Sequence, residues 1–216
     1  MFSKIQYISQ GKTAIEQEKN INNVLKYGAD WIQLRWKQGD EVQLLALAIR
    51  VQKKCIQYGA TLIINDHIGI AKTIDADGVH LGLTDTSIQK ARELLGPDKM
   101  IGGTANNLTD VKQRIVENCD YIGLGPLRFT TTKEKLSPIL GLNGYQQIIQ
   151  QLKNEVITYP PIYAIGGISQ EDIIQLQEAG LYGVAVSSLL SEQPDLIQDL
   201  KNKLQQDLKN KLQWTI

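Results

Sequence analysis

Short apolar runs recur along most of the chain, and longer stretches with the apolar spacing of amphipathic helices separate them. The short runs predict eight β-strands, at residues 5–9, 31–36, 61–65, 78–81, 100–103, 121–125, 161–165 and 183–187. The stretches between them predict helices, among them residues 15–27, 41–58, 88–95 and 171–179. Within the second of these helices, one apolar face is assigned to Val42, Leu45, Ala46, Ile49 and Ile56. The spacing of the strands indicates right-handed βαβ crossovers and therefore a parallel sheet.

Eight strand–helix units in roughly 200–250 residues are typical of a single (β/α)8 barrel, or TIM barrel. The alternative is a doubly wound open sheet, which has the same alternation but usually stops at five or six strands. The interval between the starts of the sixth and seventh strands is the longest and contains an insertion at residues 127–142. Because long loops at the C-terminal face of such barrels usually carry the chemistry, this insertion is a candidate functional loop.

The chain ends in a tandem duplication, with QDLKNKLQ at residues 198–205 and again at residues 206–213. Leucine recurs there every fourth residue, which predicts one extended helix. We therefore divide the chain into a barrel domain, residues 1–192, and a terminal helix, residues 193–216, that is part of the barrel or appended to it. A duplication without functional content is the favoured interpretation, and a partner-binding helix is the alternative.

Composition narrows the functional classes further. Hydrophobic residues make up 42% of the 216 residues, and 23 Lys and Arg balance 23 Asp and Glu. This balance argues against disorder and provides no net field for nucleic acid or an anionic membrane. No apolar stretch is long enough to span a membrane, and the N-terminus lacks the pattern of a secretory signal. Cys55 and Cys119 are isolated, so buried structural thiols in a cytoplasmic protein are expected.

Cationic residues follow the second predicted strand. A period of two places Gln33, Arg35 and Lys37 on one side of the chain, opposite Leu34 and Trp36. Two cations at the end of one strand suit a polyanionic ligand, because each donates charge-assisted hydrogen bonds to phosphate oxygens. The alternative is a solvated barrel rim.

Two carboxylates follow the next two strands. Asn65 and Asp66 end the third strand, and Asp85 lies just beyond the fourth. Adjacent parallel strands would deliver both aspartates to the same mouth, where Mg²⁺ prefers one or two carboxylates together with phosphate oxygens. The alternative is that each aspartate caps the helix that follows it.

Three further segments carry groups that suit anions. The insertion contains Thr130, Thr131 and Thr132 directly before Lys133, and a merely flexible polar loop is its alternative interpretation. A Gly166-Gly167 pair follows the seventh strand, and a Ser187-Ser188 pair follows the eighth. Barrels frequently bind a phosphate between these last two loops, although turns also need glycine. Together the strand ends indicate a diphosphate and metal site beside a monophosphate site, and thus group transfer between phosphorylated small molecules.

His80, within the fourth strand, is interpreted as a hydrogen-bonded structural residue.

Across residues 3–190 the sequence resembles the thiamine phosphate synthase family. The matching strings are Gln33-x-Arg35-x-Lys37, Asn65-Asp66, Asp77-Gly78-Val79-His80-Leu81-Gly82 with Asp85, Ile101-Gly102-x-Thr104, Gly125-Pro126 with Thr130-x-Thr132-Lys133, Gly141-Leu142, Ala164-Ile165-Gly166-Gly167-Ile168, and Gly183-Val184 with Ser187-Ser188. Any one of these strings alone is a weak signal, whereas the ordered set is specific.

The resemblance implies a transferase that joins hydroxymethylpyrimidine diphosphate to thiazole phosphate and releases diphosphate. It implies Mg²⁺ at Asp66 and Asp85, and substrate contacts along the diphosphate side at Gln33, Arg35, Lys37, Asn65, Thr104 and Lys133. It implies thiazole phosphate contacts at Thr130, Thr132, Gly167, Ser187 and Ser188. Arg35, Lys37 and Lys133 would serve catalysis, because a dissociative reaction mainly needs its leaving group neutralised and water excluded. Oligomeric state is left open.

The sequence departs from the family pattern in several places. Arg128-Phe129 replaces a typical Phe-Pro pair at the start of the insertion, so a different loop conformation is expected there. Other replacements are Trp36 for glutamate, His67 for arginine, Thr104 for serine and Asn106 for histidine. A related thiazole tautomerase relies on a histidine at the position of Asn106 and lacks the acid found here as Asp85, so both positions favour the synthase. A phosphate-binding barrel without catalytic activity is the third interpretation.

Overall fold

A closed barrel of parallel strands forms the centre of the protein. The computed structural model describes residues 2–129 and 138–213, with side chains as far as Gln205. Within these ranges eight strands pair in chain order, and the last pairs with the first. They are β1 (Ile5–Ile8), β2 (Trp31–Leu34), β3 (Thr61–Asn65), β4 (Gly78–Leu81), β5 (Met100–Ala105), β6 (Tyr121–Leu124), β7 (Ile162–Ile165) and β8 (Gly183–Val186). The predicted (β/α)8 barrel is thus confirmed, and the open doubly wound sheet is wrong.

Helices alternate with the strands around the outside of the barrel. They are α1 (Ala14–Lys26), α2 (Glu41–Tyr58), α3 (Ile68–Thr73), α4 (Ile88–Leu95), α5 (Leu108–Val116), α6 (Gly141–Asn154), α7 (Asp172–Glu178), α8 (Ser188–Glu192) and α9 (Leu196–Gln213). Local sequence sets several of their starts, since Thr13 and Asp40 each form a capping box with the residue three positions on. Helix α6 begins at Gly141, one residue before the predicted end of the insertion.

The face assigned to α2 from the sequence is wrong. Val42 and Ile56 are 78% and 72% exposed, and Ile49 is 40% exposed. The buried face instead consists of Leu44, Leu47, Ala48, Val51 and Cys55. Both sets have helical spacing, and the packing of α2 against the barrel selects the second. Cys55 and Cys119 are buried free thiols, as expected.

Alternate strand residues fill the inside of the barrel and separate it from the outer core. Trp31, Tyr121 and Tyr163 pack edge to face, with ring centroids 4.9–5.9 Å apart. Gly102 leaves space for one of these rings, because a Cβ there would lie 2.1 Å from the Tyr121 ring. These large side chains close the N-terminal end of the barrel, so the opposite end is left for ligands.

The terminal helix α9 is anchored through its first half. Leu200 and Leu204 are fully buried, and the Leu204 carbonyl accepts a hydrogen bond from Gln177 Nε2 at 3.1 Å. Lys201 Nζ lies 2.7 Å from both the Asp30 carboxylate and the Gly28 carbonyl. One extended helix is therefore confirmed, while the division of the chain at residue 192 stays a prediction. Among the described helices, none has the length and low polarity needed to cross a membrane.

Deletion of residues 206–213 is expected to leave folding and turnover within about twofold of the wild type, since terminal segments with few contacts tolerate change. The two octapeptides are identical, so the shortened chain keeps a complete first copy with Leu200, Lys201 and Leu204 in place. Thermal unfolding and steady-state kinetics provide the measurement, with Lys201→Ala as a control that removes an observed anchor. A large loss in the deletion would show that the second copy docks on the barrel or on a partner.

Candidate active site

The C-terminal ends of β2 and β3 bring three predicted residues into contact. Lys37 Nζ forms an ion pair with one oxygen of Asp66, and the side-chain amide of Asn65 donates to the other oxygen. The Lys37 side chain is 51% exposed, whereas that of Asp66 is 17% exposed. A half-exposed cation and a largely buried carboxylate therefore meet at the rim of the barrel, with the amide of Asn65 beside them.

Backbone geometry directs Asp66 into this position. Its φ is +64°, in the left-handed region, and its N–H donates to the carbonyl of His80 at 2.9 Å. The next N–H, of His67, donates back to the Asn65 carbonyl at 2.8 Å. The chain thus turns sharply where β3 ends, and aspartate is one of the few residues that adopt this conformation readily.

Asp85 completes a pair of carboxyl groups. Its Oδ2 accepts the N–H of Gly82 at 2.6 Å, which holds the loop after β4 in a tight turn. Burial and the neighbouring Asp85 carboxyl raise the pKa of Asp66 above its usual range, against the lowering effect of Lys37. Partial burial also acts to raise the pKa of Asp85, but hydrogen bonds from Asp66 and the Gly82 N–H outweigh it and the pKa is lowered. Each of the two carboxyls therefore influences the ionisation of the other.

The alternative that these aspartates cap the following helices is wrong. Helix α3 begins after His67 without any side-chain cap. Helix α4 is capped by Ser87, whose hydroxyl accepts the Lys90 N–H at 3.2 Å. Neither carboxylate therefore caps a helix. Among the described residues no group of three or more His, Cys, Asp and Glu side chains forms a metal cluster, so any cation at the pair needs ligands from elsewhere.

A chain of hydrogen bonds crosses the barrel interior between two predicted substrate contacts. Gln33 Nε2 donates to Gln6 Oε1 at 2.9 Å, and Gln6 Nε2 donates to the Tyr121 hydroxyl at 3.1 Å. His80 Nδ1 lies 3.2 Å from the same hydroxyl, and its Nε2 lies 3.0 Å from Thr104 Oγ1. This confirms the interpretation of His80 as a hydrogen-bonded interior residue.

The donor and acceptor in each hydrogen bond of this series are assigned starting from the Tyr121 hydroxyl. Burial raises the pKa of Tyr121 far above that of an exposed tyrosine, so the phenol keeps its proton. Its oxygen already accepts from Gln6, so we assign the phenol proton to His80 Nδ1. The remaining imidazole proton then lies on Nε2 and is donated to Thr104. With this assignment Thr104 Oγ1 accepts, so the contact with His80 does not use the Thr104 hydroxyl proton.

Tyr121→Phe is expected to lower the free energy of unfolding by about 1–3 kcal/mol, because it removes the buried hydroxyl that hydrogen-bonds Gln6 Nε2 and His80 Nδ1. Urea unfolding at neutral pH measures the change. Tyr27→Phe is the matched control, because Tyr27 is 50% exposed and its substitution should cost less than about 0.5 kcal/mol. Equal stability of the Tyr121→Phe variant and the wild type would contradict the assigned series of hydrogen bonds.

Arg114 joins the loop that carries Asp85 to the end of β5, which carries Thr104. Its side chain is 3% exposed, and Nη1 forms an ion pair with Glu117 at 2.6 Å. Nε donates to the Thr104 carbonyl and Nη2 to the Gly82 carbonyl, each at 3.0 Å. One buried guanidinium therefore fixes the backbone on which both site residues depend.

The remaining predicted residues lie at other parts of the rim. Arg35 is half-buried and its N–H donates to Ser9 Oγ at 2.9 Å, while Ser187 Oγ donates to Gln10 Oε1 at 3.2 Å. Gly167 and Ser188 are exposed at the ends of β7 and β8. No hydrogen bond in the described part of the chain joins these two loops. Thr130, Thr132 and Lys133 lie outside the described residues.

Trp36 is turned away from this site, as the strand alternation predicts. It is 8% exposed, and its Nε1 donates to the Lys12 carbonyl at 3.2 Å. Trp31 is also buried, so both tryptophans pack in the core, and Trp214 lies outside the described residues. The family departure at residue 36 therefore leaves the surface of Arg35 and Lys37 unchanged.

A family model described as thiamine monophosphate synthase matches residues 6–190. The chain belongs to the thiamine monophosphate synthase family. It is 54% identical over 207 residues to the thiamine-phosphate synthase of Flavobacterium psychrophilum, which covers 94% of this chain and 100% of that protein. It is 50% identical to the thiamine-phosphate synthase of Flavobacterium johnsoniae, with 94% and 97% covered.

Solved structures support the fold. The thiamine phosphate pyrophosphorylase of Pyrococcus furiosus superimposes with a TM-score of 0.78 at 23% identity and covers 93% of this chain and 96% of its own. The resemblance to the synthase family and its transferase class is thus confirmed, and the relatives are synthases rather than tautomerases. The roles of individual residues stay predictions.

Three residues that support the synthase-family site were missed from the sequence, namely Gln6, Tyr121 and Arg114. Gln6 and Tyr121 link Gln33 to His80, although they come from strands far apart in the chain. A polar residue inside the otherwise apolar β1 was the available signal for Gln6. Arg114 had no signal, because an arginine on a helix is usually exposed.

Proposed function

We propose that this chain joins hydroxymethylpyrimidine diphosphate to thiazole phosphate, producing thiamine phosphate and diphosphate. Membership of the synthase family supports the activity. The observation that supports the site is the contact of Lys37, Asn65 and Asp66 at the rim, with the Asp85 carboxyl beside them. These groups combine a cation, amide donors and two carboxylates, which is the set that a diphosphate with a divalent cation requires.

The carboxylate pair fits Mg²⁺. Asp66 and Asp85 are close enough to shift each other's pKa, so a divalent cation between them would relieve the repulsion of two carboxylates. Mg²⁺ usually takes one or two carboxylates and fills its remaining positions with phosphate oxygens and water. When bound, it would neutralise charge on the departing diphosphate. Asp66 and Asp85 are the residues that would hold it.

The protein groups act on the leaving diphosphate. In the proposed dissociative reaction, the carbon–oxygen bond breaks first and its electron pair leaves with the diphosphate. Lys37 and Arg35 would balance the growing negative charge, and Asn65 and Thr104 would donate hydrogen bonds to its oxygens. The Thr104 hydroxyl suits this role because its contact with His80 Nε2, 3.0 Å away, fixes the position of its oxygen.

The pyrimidine and thiazole parts would lie deeper and to one side of the diphosphate. The buried amide of Gln33 is held by Gln6, so it would orient the pyrimidine with little loss of side-chain entropy. Gly167, Ser187 and Ser188 would bind the thiazole phosphate, together with Thr130 and Thr132. The thiazole nitrogen would then attack the pyrimidine methylene cation, forming the new carbon–nitrogen bond.

The decisive experiment incubates the purified full chain with both phosphorylated substrates, with and without Mg²⁺, and measures thiamine phosphate by chromatography. Formation of thiamine phosphate that stops on addition of EDTA is expected. Tight binding of the substrates without turnover would instead favour the phosphate-binding barrel that lacks catalytic activity. Product formation unaffected by EDTA would refute the metal assignment alone.

We also propose that the enzyme works in the cytoplasm. Both described cysteines are free and buried, which suits a compartment that keeps thiols reduced. Burial raises the pKa of Cys55 and of Cys119 to about 12, so neither thiol is reactive at neutral pH.

A further inference from the structure

The start of the insertion after β6 is hydrogen-bonded to the loop after β7. The Leu127 N–H lies 2.9 Å from the Ile165 carbonyl and 3.0 Å from the Gly166 carbonyl. The Arg128 N–H donates to the Gly166 carbonyl at 3.1 Å, and Arg128 Nη1 donates to the Gly167 carbonyl at 3.1 Å. Two consecutive glycine carbonyls are therefore held by Arg128.

The Arg128 guanidinium also forms a forked ion pair with Asp172, the first residue of α7. Nη1 and Nη2 each lie 2.5 Å from a different carboxylate oxygen. The Asp172 side chain is 8% exposed, and its Oδ2 accepts the Ser169 N–H at 2.7 Å and the Ser169 hydroxyl at 2.9 Å. Arg128 and Asp172 thus hold the loop of residues 166–169 from both ends.

The contacts of Arg128 and Asp172 with this loop form a clasp, and the clasp determines the direction of two backbone N–H donors. In a trans peptide the carbonyl and the following N–H point in opposite directions. Since the carbonyls of Gly166 and Gly167 face Arg128, the N–H groups of Gly167 and Ile168 face away from it. Neither N–H donates to a backbone carbonyl among the described residues. Both glycines have positive φ, +86° and +69°, and a Cβ on Gly167 would lie 2.9 Å from Arg128 Cβ.

We propose that Arg128 and Asp172 are positioning residues for the monophosphate of the thiazole substrate. Their ion pair holds the Gly166-Gly167 turn in the shape that presents two N–H donors to the phosphate. The inference rests on the proposed function, and it adds a role for Arg128, which stands in place of the phenylalanine of a typical Phe-Pro pair. The Arg128 guanidinium finds a partner within this chain, since it pairs with Asp172.

Steady-state kinetics of Arg128→Ala and Asp172→Asn test this role. We expect the KM for thiazole phosphate to rise about tenfold in each variant, as loss of a charge-assisted network implies. The kcat and the KM for the pyrimidine diphosphate should stay within about twofold of the wild type. The double variant should be no worse than either single variant, since both remove one interaction. Arg128→Lys should recover part of the loss, because lysine keeps the charge without the fork.

The matched control is Arg92→Ala. Arg92 Nη2 forms an ion pair with Asp120 at 2.5 Å, but it lies at the N-terminal end of the barrel, where β5 and β6 begin. Its loss should leave both KM values unchanged. An unchanged KM for thiazole phosphate in Arg128→Ala, an equal rise in both KM values, or additive effects in the double variant would overturn the inference.

Amide hydrogen exchange of the ligand-free protein separates this inference from the proposed function. Arg128→Ala should speed exchange at residues 166–169, and Arg92→Ala should not. Calorimetric titration with inorganic phosphate should show weaker binding to Arg128→Ala than to the wild type. If the wild type forms no thiamine phosphate, the proposed function fails, while unchanged exchange and phosphate binding in Arg128→Ala would refute the positioning role by itself.

Discussion

Replacement of Lys133 by alanine is expected to slow the transfer roughly 10²–10³-fold, the cost of removing one preorganised electrostatic donor in other enzymes. Breaking the carbon–oxygen bond builds negative charge on a leaving group that the cation neutralises only in part. A lysine from the long loop after β6 would add its charge at the transition state and displace water. Lys133 lies outside the described residues, so its role is predicted from the sequence and the family resemblance.

Single-turnover rates with saturating substrates measure this effect, because they separate chemistry from product release. Lys135 lies two residues away and is able to substitute in part, so Lys133→Ala should be compared with the double variant that also carries Lys135→Ala. Rates within about twofold of the wild type for both variants would show that Lys133 is only an exposed loop charge.

Asp85→Asn is expected to slow the transfer by about 100-fold or more, since loss even of an outer partner of a metal site costs 10–100-fold. Asparagine keeps an oxygen that accepts the Gly82 N–H, so the turn after β4 is preserved while the charge is lost. The half-saturating Mg²⁺ concentration should rise, and the KM for thiazole phosphate should stay unchanged because that substrate binds at other loops.

A Mg²⁺ titration of single-turnover rates provides the measurement. Asp75→Asn is the matched control, because Asp75 is 86% exposed and pairs with Lys99 near the N-terminal end of the barrel. Asparagine also tolerates the positive φ of +55° at that position. An Asp85→Asn variant as fast as the wild type would exclude Asp85 from the metal site.

Strand positions were predictable because the strand period is strong and local. All eight strands begin within one residue of the predicted start and end within two. Helix faces were less predictable, as α2 shows. Its 18 residues carry apolar side chains on two overlapping faces, and only the contact with the barrel decides that Leu44 is buried and Val42 exposed. The local periodicity of the sequence does not indicate which of the two faces contacts the barrel.

The polar residues at the rim of the site were predictable from the sequence, whereas the contacts that hold its loops in place were not. Lys37, Asn65 and Asp66 lie at or just beyond the C-terminal ends of β2 and β3, so parallel pairing alone brings them to one rim. The clasp between Arg128 and Asp172 joins residues 44 positions apart, and nothing in either local sequence indicates the other. Such a contact depends on how two loops leave neighbouring strands, which only the folded backbone defines.

The alternation of strands and helices, the barrel class and the kinds of groups at the strand ends could be predicted from the amino-acid sequence, because they depend on short-range period and residue chemistry. Which of these groups meet depends on the folded backbone. The path from Gln33 through Gln6, Tyr121 and His80 to Thr104 uses five strands, and each link needs two atoms within about 3 Å. Closure of the barrel sets those distances, because it places residues remote in the chain side by side in a shared interior.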